Sequence, residues 1–158
     1  MLRILLLSDS HGNVKRMAEA VENTRPDMIC HMGDCWRDAE ELKEMYPMIP
    51  MEQVIGNCDW NDDVAEKVFE TEGFRIMMCH GHRYGVKGSL LYLDLKAREL
   101  EADIVLFGHT HELFYDNYNG HWLFNPGSIG LPAFGNPPSY IVLTLNDGEL
   151  DFETYYLK

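Results

Sequence analysis

The feature that most constrains the fold of this chain is a pattern in which a short aliphatic run ends in Gly, Asp, Asn or His. The endings contain the motifs Asp9-Ser-His11, Gly33-Asp34, Gly56-Asn-Cys-Asp59, His80-Gly-His82 and Gly108-His-Thr-His111. Uninterrupted aliphatic runs are typical of strands covered on both faces. Any one ending alone is ordinary turn chemistry, but several in one short chain indicate a common cause.

The order of these runs predicts an α/β fold. Strands over 3–8, 27–32 and 51–55 are separated by helices, one capped by Asn13 and one over 38–45, which indicates parallel crossovers. The remainder is largely β, and a helix capped by Ser89 interrupts it. The further strands are predicted over 64–70, 74–79, 103–107, 113–117, 122–124, 140–145 and 150–156, with a long loop from Asn125 to Pro138.

The strand endings carry residues that bind metals. Ligands of open α/β sheets bind beyond the carboxyl ends of the strands, so these side chains are expected to converge. Residues two apart in an extended chain project to one side, which suits Asp9 with His11 and His109 with His111. The donors suit Mn, Fe, Zn, Ni or Co rather than Ca²⁺, and they outnumber the ligands of one tetrahedral ion, so we expect two ions. The donors counted are two carboxylates, one carboxamide and four imidazoles.

The ordered motifs, completed by Asn125-Pro-Gly-Ser128, resemble those of the calcineurin-like metallophosphoesterases, in particular small phosphodiesterases of the YfcE type. The resemblance covers nearly the whole chain and implies a single domain over residues 1–158. It implies an α/β sandwich of two facing mixed β-sheets flanked by helices. Periodicity alone does not predict the two sheets.

The resemblance also implies an assignment for each donor. Asp9, His11 and His111 bind a first ion. Asn57, His80 and His109 bind a second, and Asp34 bridges both. Manganese is the first metal to test, with Ni, Zn, Fe, Co or Mg as alternatives. The implied reaction is hydrolysis of small or activated phosphodiesters by a hydroxide that bridges the two ions.

Several residues are expected to contact or protonate the substrate. Many members of the superfamily carry a His after the Asn, where it is thought to protonate the leaving oxygen, whereas Cys58 stands here. Asn57 and Cys58 are therefore catalytic candidates, with His82 as the replacement acid. The expected substrate contacts are Asn57, His80, Asn125 and Ser128. Of the other histidines, His31 is expected in the core and His121 at the surface.

Charge limits the partners of the chain. It has 13 basic and 26 acidic residues and a formal net charge of -13, which disfavours membranes and extended nucleic acid. Two divalent ions with the two carboxylates Asp9 and Asp34 would leave the site itself locally cationic, which favours a small phosphate ester over a long polyanion. Four cysteines without a paired motif and the lack of a signal-peptide pattern indicate a cytoplasmic protein. A homo-oligomer is left open.

The motifs do not separate a phosphodiesterase from a phosphomonoesterase or a cyclic-nucleotide phosphodiesterase. A different class is also open: a non-catalytic protein-binding scaffold on the same fold, as in the retromer subunit related to this family. All the ligand positions are filled here, which favours an enzyme.

Overall fold

The computed structural model describes residues 1–61 and 63–157, which form ten β-strands and three α-helices. A short 3-10 turn, His82–Tyr84, is also present. In chain order the elements are β1 (Leu2–Leu7), α1 (Val14–Thr24), β2 (Met28–His31), α2 (Trp36–Met45), β3 (Met51–Gln53), β4 (Glu66–Thr71), β5 (Phe74–Cys79), α3 (Leu91–Glu99), β6 (Ile104–Leu106), β7 (Leu113–Tyr118), β8 (His121–Pro126), β9 (Ser139–Asn146) and β10 (Glu149–Tyr156).

The first sheet contains the parallel units at the start of the chain. Its strand order is β10-β9-β1-β2-β3. Strands β1, β2 and β3 are parallel, whereas β9 and β10 are antiparallel to their neighbours. Helix α1 begins where the side chain of Asn13 accepts a hydrogen bond from the Arg16 N–H, as the sequence predicted.

The second sheet has the strand order β4-β5-β6-β8-β7. Strands β5, β6 and β8 are parallel, and β4 and β7 are the antiparallel edge strands. Strands β4 and β5 form the predicted hairpin. The expected architecture of two mixed sheets flanked by helices is therefore confirmed.

The core lies in three layers. Side chains from both sheets, such as Leu6, Met78 and Leu106, are fully buried between them. The outer face of the first sheet packs on α1 and α2, and that of the second packs on α3. Because both sheets are covered on each face, the central strands have continuous apolar runs, and burial of this area is the main stabilising term.

This topology brings the carboxyl ends of the parallel strands of both sheets to one edge. Backbone hydrogen bonds join the loops there: the Asp9 N–H donates to the Gly33 carbonyl at 3.0 Å, and the Gly108 N–H donates to the His80 carbonyl at 2.9 Å. A third bond crosses between the sheets, from the Ile129 N–H to the Ser8 carbonyl at 3.2 Å.

Some local predictions were wrong. His121 is 4 % exposed rather than at the surface, and its Nε2 lies 2.8 Å from Asp94 Oδ1 on α3. Helix α3 begins at Leu91, so Ser89 lies one residue before the N-cap, although its Oγ accepts the Leu91 N–H.

None of the helices among residues 1–61 and 63–157 has the length and apolar character needed to cross a bilayer.

Candidate metal centre

The residues predicted as metal ligands lie together at the shared sheet edge. They come from the loops after β1, β2, β3, β5 and β6. The spacing argument assumed an extended backbone for these residues, but their backbone is not extended. Several of them have positive φ values, which non-glycine residues rarely adopt, so tight bends rather than strand geometry aim their side chains. The values are 52° for Asp9, 42° for His11, 46° for Asp34, 72° for His109 and 62° for His111.

One group of donors surrounds Asp9, which is fully buried. Its Oδ1 lies 3.2 Å from Nε2 of His111 and 3.8 Å from Nε2 of His11. Ligand atoms of these three residues all lie within 4.8 Å of one another. This is the set that the family resemblance implies for the first ion.

A second group surrounds His80. Its Nε2 lies 3.0 Å from Asn57 Oδ1 and 3.2 Å from His109 Nδ1. Oδ2 of Asp34 lies 3.5 Å from His80 Nε2 and 3.7 Å from His11 Nε2, so this carboxylate stands between the two groups. Such a position suits a carboxylate shared by two ions.

Two buried donor atoms at the centre lack a hydrogen-bond partner among the described residues, which suits a cation. Asp9 Oδ1 and His11 Nε2 are both buried, and neither has a hydrogen-bond partner among the described residues. Buried polar atoms are normally paired, so unpaired ones that face each other call for a ligand. Carboxylate oxygens and imidazole nitrogens are donors for divalent transition metals.

Neighbouring groups fix the orientation of the ligands. Oδ2 of Asp9 accepts hydrogen bonds from Ser8 Oγ at 2.6 Å and from the His109 N–H at 3.0 Å. Nδ1 of His80 donates a hydrogen bond to the Met32 carbonyl at 2.7 Å, which turns Nε2 towards Asp34 and Asp9. Such outer contacts hold one atom of each side chain ready for a metal.

The carboxylates are ionised at neutral pH. Burial acts to raise the pKa of Asp9, but contacts with His11 and His111 outweigh it and hold that pKa well below its usual range. For Asp34 burial is again opposed, chiefly by His80, and the pKa falls to about 2. Both side chains therefore offer charged oxygens to a cation.

The imidazoles differ among themselves. Burial and the charge of His80 lower the pKa of His109 to about 4, so this ring is neutral and has a free nitrogen. Burial, His80 and Arg83 also lower the pKa of His82. The pKa of His80 itself is raised, because the nearby Asp34 and Asp9 outweigh its burial.

Asp59 organises the loops, a role that the sequence reasoning missed. Its Oδ1 accepts the Trp36 N–H at 2.7 Å, and its Oδ2 accepts the N–H groups of Gly56 at 2.7 Å and Asp34 at 3.2 Å. It thereby ties the loop after β2 to the loop after β3. The sequence feature that could have indicated this role is the position of Asp59 in the same turn as Asn57.

The Asn125 and Ser128 side chains lie beneath the centre and are fully buried. Nδ2 of Asn125 donates to Thr110 Oγ1 at 2.8 Å and to the Gly108 carbonyl at 3.1 Å. Ser128 Oγ donates to the Asp9 carbonyl at 2.7 Å. These bonds position the ligand loops. Because both side chains are buried and bonded in this way, the arrangement does not favour the predicted contact of either one with substrate.

The two residues predicted as proton donors lie at the rim. Cys58 is exposed, and its Sγ lies within 4.8 Å of ligand atoms of His11 and Asp34. The ring of His82 is half-buried, with its centroid 5.4 Å from that of His80. A cavity of about 180 Å³ adjoins these rings and is lined in part by Glu66 and Tyr84.

Comparison with known proteins identifies the family of the chain. Residues 2–148 match the calcineurin-like phosphoesterase superfamily domain. The chain belongs to this superfamily. The chain is 35% identical over 150 residues to the probable metallophosphoesterase YsnB of Bacillus subtilis, and the alignment covers 92% of this chain and 86% of YsnB. It is 26% identical over 176 residues to the phosphodiesterase YfcE of Escherichia coli, covering 90% and 88% of the two chains.

Solved structures of similar proteins have the same fold. A predicted phosphoesterase from Streptococcus pneumoniae superposes with a TM-score of 0.84 at 27% identity, over 98% of this chain and 89% of that one. Vps29 of Entamoeba histolytica, in a zinc complex, superposes with a TM-score of 0.78 at 21% identity, over 98% and 99% of the chains. The similarity to Vps29 shows only that the two chains share a fold.

Proposed function

We propose that this member of the phosphoesterase superfamily is a phosphodiesterase that acts on small or activated phosphodiesters with two divalent ions, Mn²⁺ being the first to test. The observation that carries the proposal is Asp34, whose Oδ2 lies 3.5 Å from His80 Nε2 and 3.7 Å from His11 Nε2. One ionised carboxylate between two sets of imidazoles is what a pair of ions would share.

When bound, such ions supply positive charge for the phosphoryl oxygens and acidify a water molecule that can act as nucleophile. Asp9, His11 and His111 would hold one of them, and Asn57, His80 and His109 the other. Asp9 and Asp34 together contribute two negative charges, which leaves a loaded site locally cationic within an acidic chain. A small anionic ester is therefore favoured.

The residue that would contact the substrate is Asn57, because it is exposed. His80, whose Nε2 lies 3.0 Å from Asn57 Oδ1, is fully buried and would act on the substrate through the ion that it holds. Protonation of the leaving oxygen falls to Cys58 or His82 at the rim. A thiol is a weaker match to neutral pH than an imidazole, so we expect aryl diesters to be better substrates than alkyl diesters.

Two further activities and one other class of function stay open. Cleavage of monoesters or cyclic nucleotides uses the same donors, and the loops after β5 and β8 would decide between them. A protein-binding scaffold would not need the unpaired donor atoms of Asp9 and His11, which favour a ligand-binding site. A cytoplasmic location and a homo-oligomer also stay predictions.

Hydrolysis assays on chelator-stripped protein test the proposal. We expect Mn²⁺ to restore hydrolysis of bis(p-nitrophenyl) phosphate, with less activity on p-nitrophenyl phosphate. Asp34→Asn should lose this activity, whereas Asp116→Asn, on the exposed part of β7, should keep it. Higher activity on the monoester would select the alternative, and folded protein that no metal activates would favour the scaffold.

The same assay examines the acid role of His82. If this ring protonates the leaving oxygen, His82→Ala should lose more activity towards alkyl diesters than towards aryl diesters, since only the former need the proton. Equal losses would contradict that role.

A further inference from the structure

Cys58 lies among the metal-binding donors rather than outside them. Its Sγ, an imidazole nitrogen of His11 and a carboxylate oxygen of Asp34 all lie within 4.8 Å of one another. Zn–S and Zn–N bonds measure about 2.3 and 2.1 Å, so two ligands at a tetrahedral angle on one such ion are roughly 3.6 Å apart. The three atoms would therefore draw together by up to about 1 Å to share one ion.

The local contacts leave this thiol free to turn towards an ion. The Cys58 N–H donates to Asp34 Oδ1 at 2.9 Å, which fixes the main chain beside the carboxylate. The exposed side chain contacts Asn57 Nδ2, which is 3.7 Å from the sulfur, and the thiol also interacts with the Asp34 side chain. A main chain that is held and a side chain that can rotate suit a ligand that joins the site when the ion arrives.

Unpaired donor atoms next to the thiol point to the same position. His11 Nε2 has no hydrogen-bond partner among the described residues, and the same is true of Oδ1 of the fully buried Asp9, 3.8 Å away. Of the other three thiols, Cys30 and Cys79 are buried in the core, and the half-exposed Cys35 belongs to none of the donor groups among the described residues. Cys58 is thus the sulfur that the structure groups with these donors.

We infer that Cys58 is a ligand for thiophilic divalent ions at this site, together with His11 and Asp34. As the metal–sulfur bond forms, the S–H bond breaks, the electron pair stays on sulfur, and the proton passes to solvent without any change of oxidation state. Soft sulfur selects Zn²⁺, Co²⁺ or Cd²⁺, whereas Mn²⁺ prefers oxygen and leaves the thiol protonated.

The effect of a Cys58 ligand on catalysis rests on the proposed function. A metal-bound Cys58 has no proton to give to a leaving group, so the choice of ion decides whether the thiol serves as ligand or as acid. The site would then respond to the supply of thiophilic metal, with Mn²⁺ supporting activity better than Zn²⁺.

Titration of the chelator-treated chain with Co²⁺ tests the ligand role by a spectroscopic readout. We expect a sulfur-to-cobalt charge-transfer band in the near ultraviolet that saturates with Co²⁺ binding. The band should disappear in Cys58→Ser and persist in Cys35→Ser, a matched change in a half-exposed cysteine. In weak buffer, Cys58→Ser should also release one proton fewer for each Co²⁺ that binds.

Circular dichroism and equilibrium dialysis verify that each variant is folded and binds cobalt. The inference fails if cobalt-loaded protein lacks the band, if the band survives in Cys58→Ser, or if it is lost in Cys35→Ser. Protein that binds no ion contradicts both the inference and the proposed function. A band in protein that hydrolyses no phosphate ester removes the proposed function alone.

Discussion

The charge of the side chain at position 57 should control how strongly an anionic substrate binds. Asn57 contributes a neutral oxygen 3.0 Å from His80 Nε2, at an exposed position. A carboxylate there would add a negative charge within a few ångströms of the phosphoryl group. At an effective dielectric constant of about 20, two unit charges 4 Å apart repel by about 4 kcal/mol. We expect Asn57→Asp to raise KM for the diester about tenfold or more.

Steady-state kinetics measure this effect, with metal content determined for each variant so that a lost ion is not mistaken for repulsion. Asn117→Asp, which adds the same charge to an exposed part of β7, is the control and should leave KM unchanged. An Asn57→Asp variant with normal KM and kcat would show that charge at this position does not act on the substrate.

For the site residues, the types of side chain in the sequence predicted more than the spacing did about their geometry. Carboxylates, imidazoles and one carboxamide after strands indicated a metal centre, and the structure brings these side chains together. The positive φ values of Asp9 and His109 could not be read from the spacing, because the bends depend on hydrogen bonds between distant loops. Asn125 and Ser128 looked like polar loop residues, but they bond to the backbone beneath the ligands.

At the scale of elements, one aspartate holds two loops and a helix start together. Asp59 accepts backbone N–H groups from Trp36, Asp34 and Gly56. In Asp59→Asn one of the two acceptors becomes an N–H donor that faces these amides. A lost partner of this kind costs about 1–3 kcal/mol, and loss of outer support lowers metal affinity about 10–100-fold. We expect both effects from Asp59→Asn.

Thermal unfolding and a metal titration measure the two effects separately. Asp63→Asn is the matched control, since Asp63 is exposed in the same segment and its described hydrogen bond is to its neighbour Val64. If Asp59→Asn unfolds like the parent and binds metal as tightly, the two loops are held by other contacts.

The strands themselves were predictable from apolar runs, but their ends were not. The strand expected over 51–55 ends at Gln53: the Val54 N–H still donates to the His31 carbonyl of β2, but the Ile55 N–H donates to the Val64 carbonyl instead. Helix α2 starts two residues before the expected Asp38, at Trp36, whose N–H meets Asp59. His121 was misplaced because its partner Asp94 comes from a helix far away in sequence.

One buried histidine couples the edge that carries the site to the stability of the fold. His31 is fully buried at the end of β2, as the sequence predicted. Its Nδ1 accepts the Gly33 N–H at 3.2 Å, and its Nε2 lies 3.0 Å from Ser10 Oγ, so the ring fits its surroundings only when neutral. Burial lowers its pKa from 6.5 to about 4 in spite of nearby carboxylates.

Acid should therefore destabilise the fold through His31. Between pH 6.5 and 4 the unfolded chain binds a proton at this residue and the folded chain does not, so stability falls as the pH falls through this window. The loss approaches about 3 kcal/mol at its lower end. Denaturant unfolding of metal-free protein measures it, and in His31→Gln this part of the pH dependence should be absent. Parallel pH profiles for the parent and His31→Gln would mean that the ring accepts its proton without opening the fold.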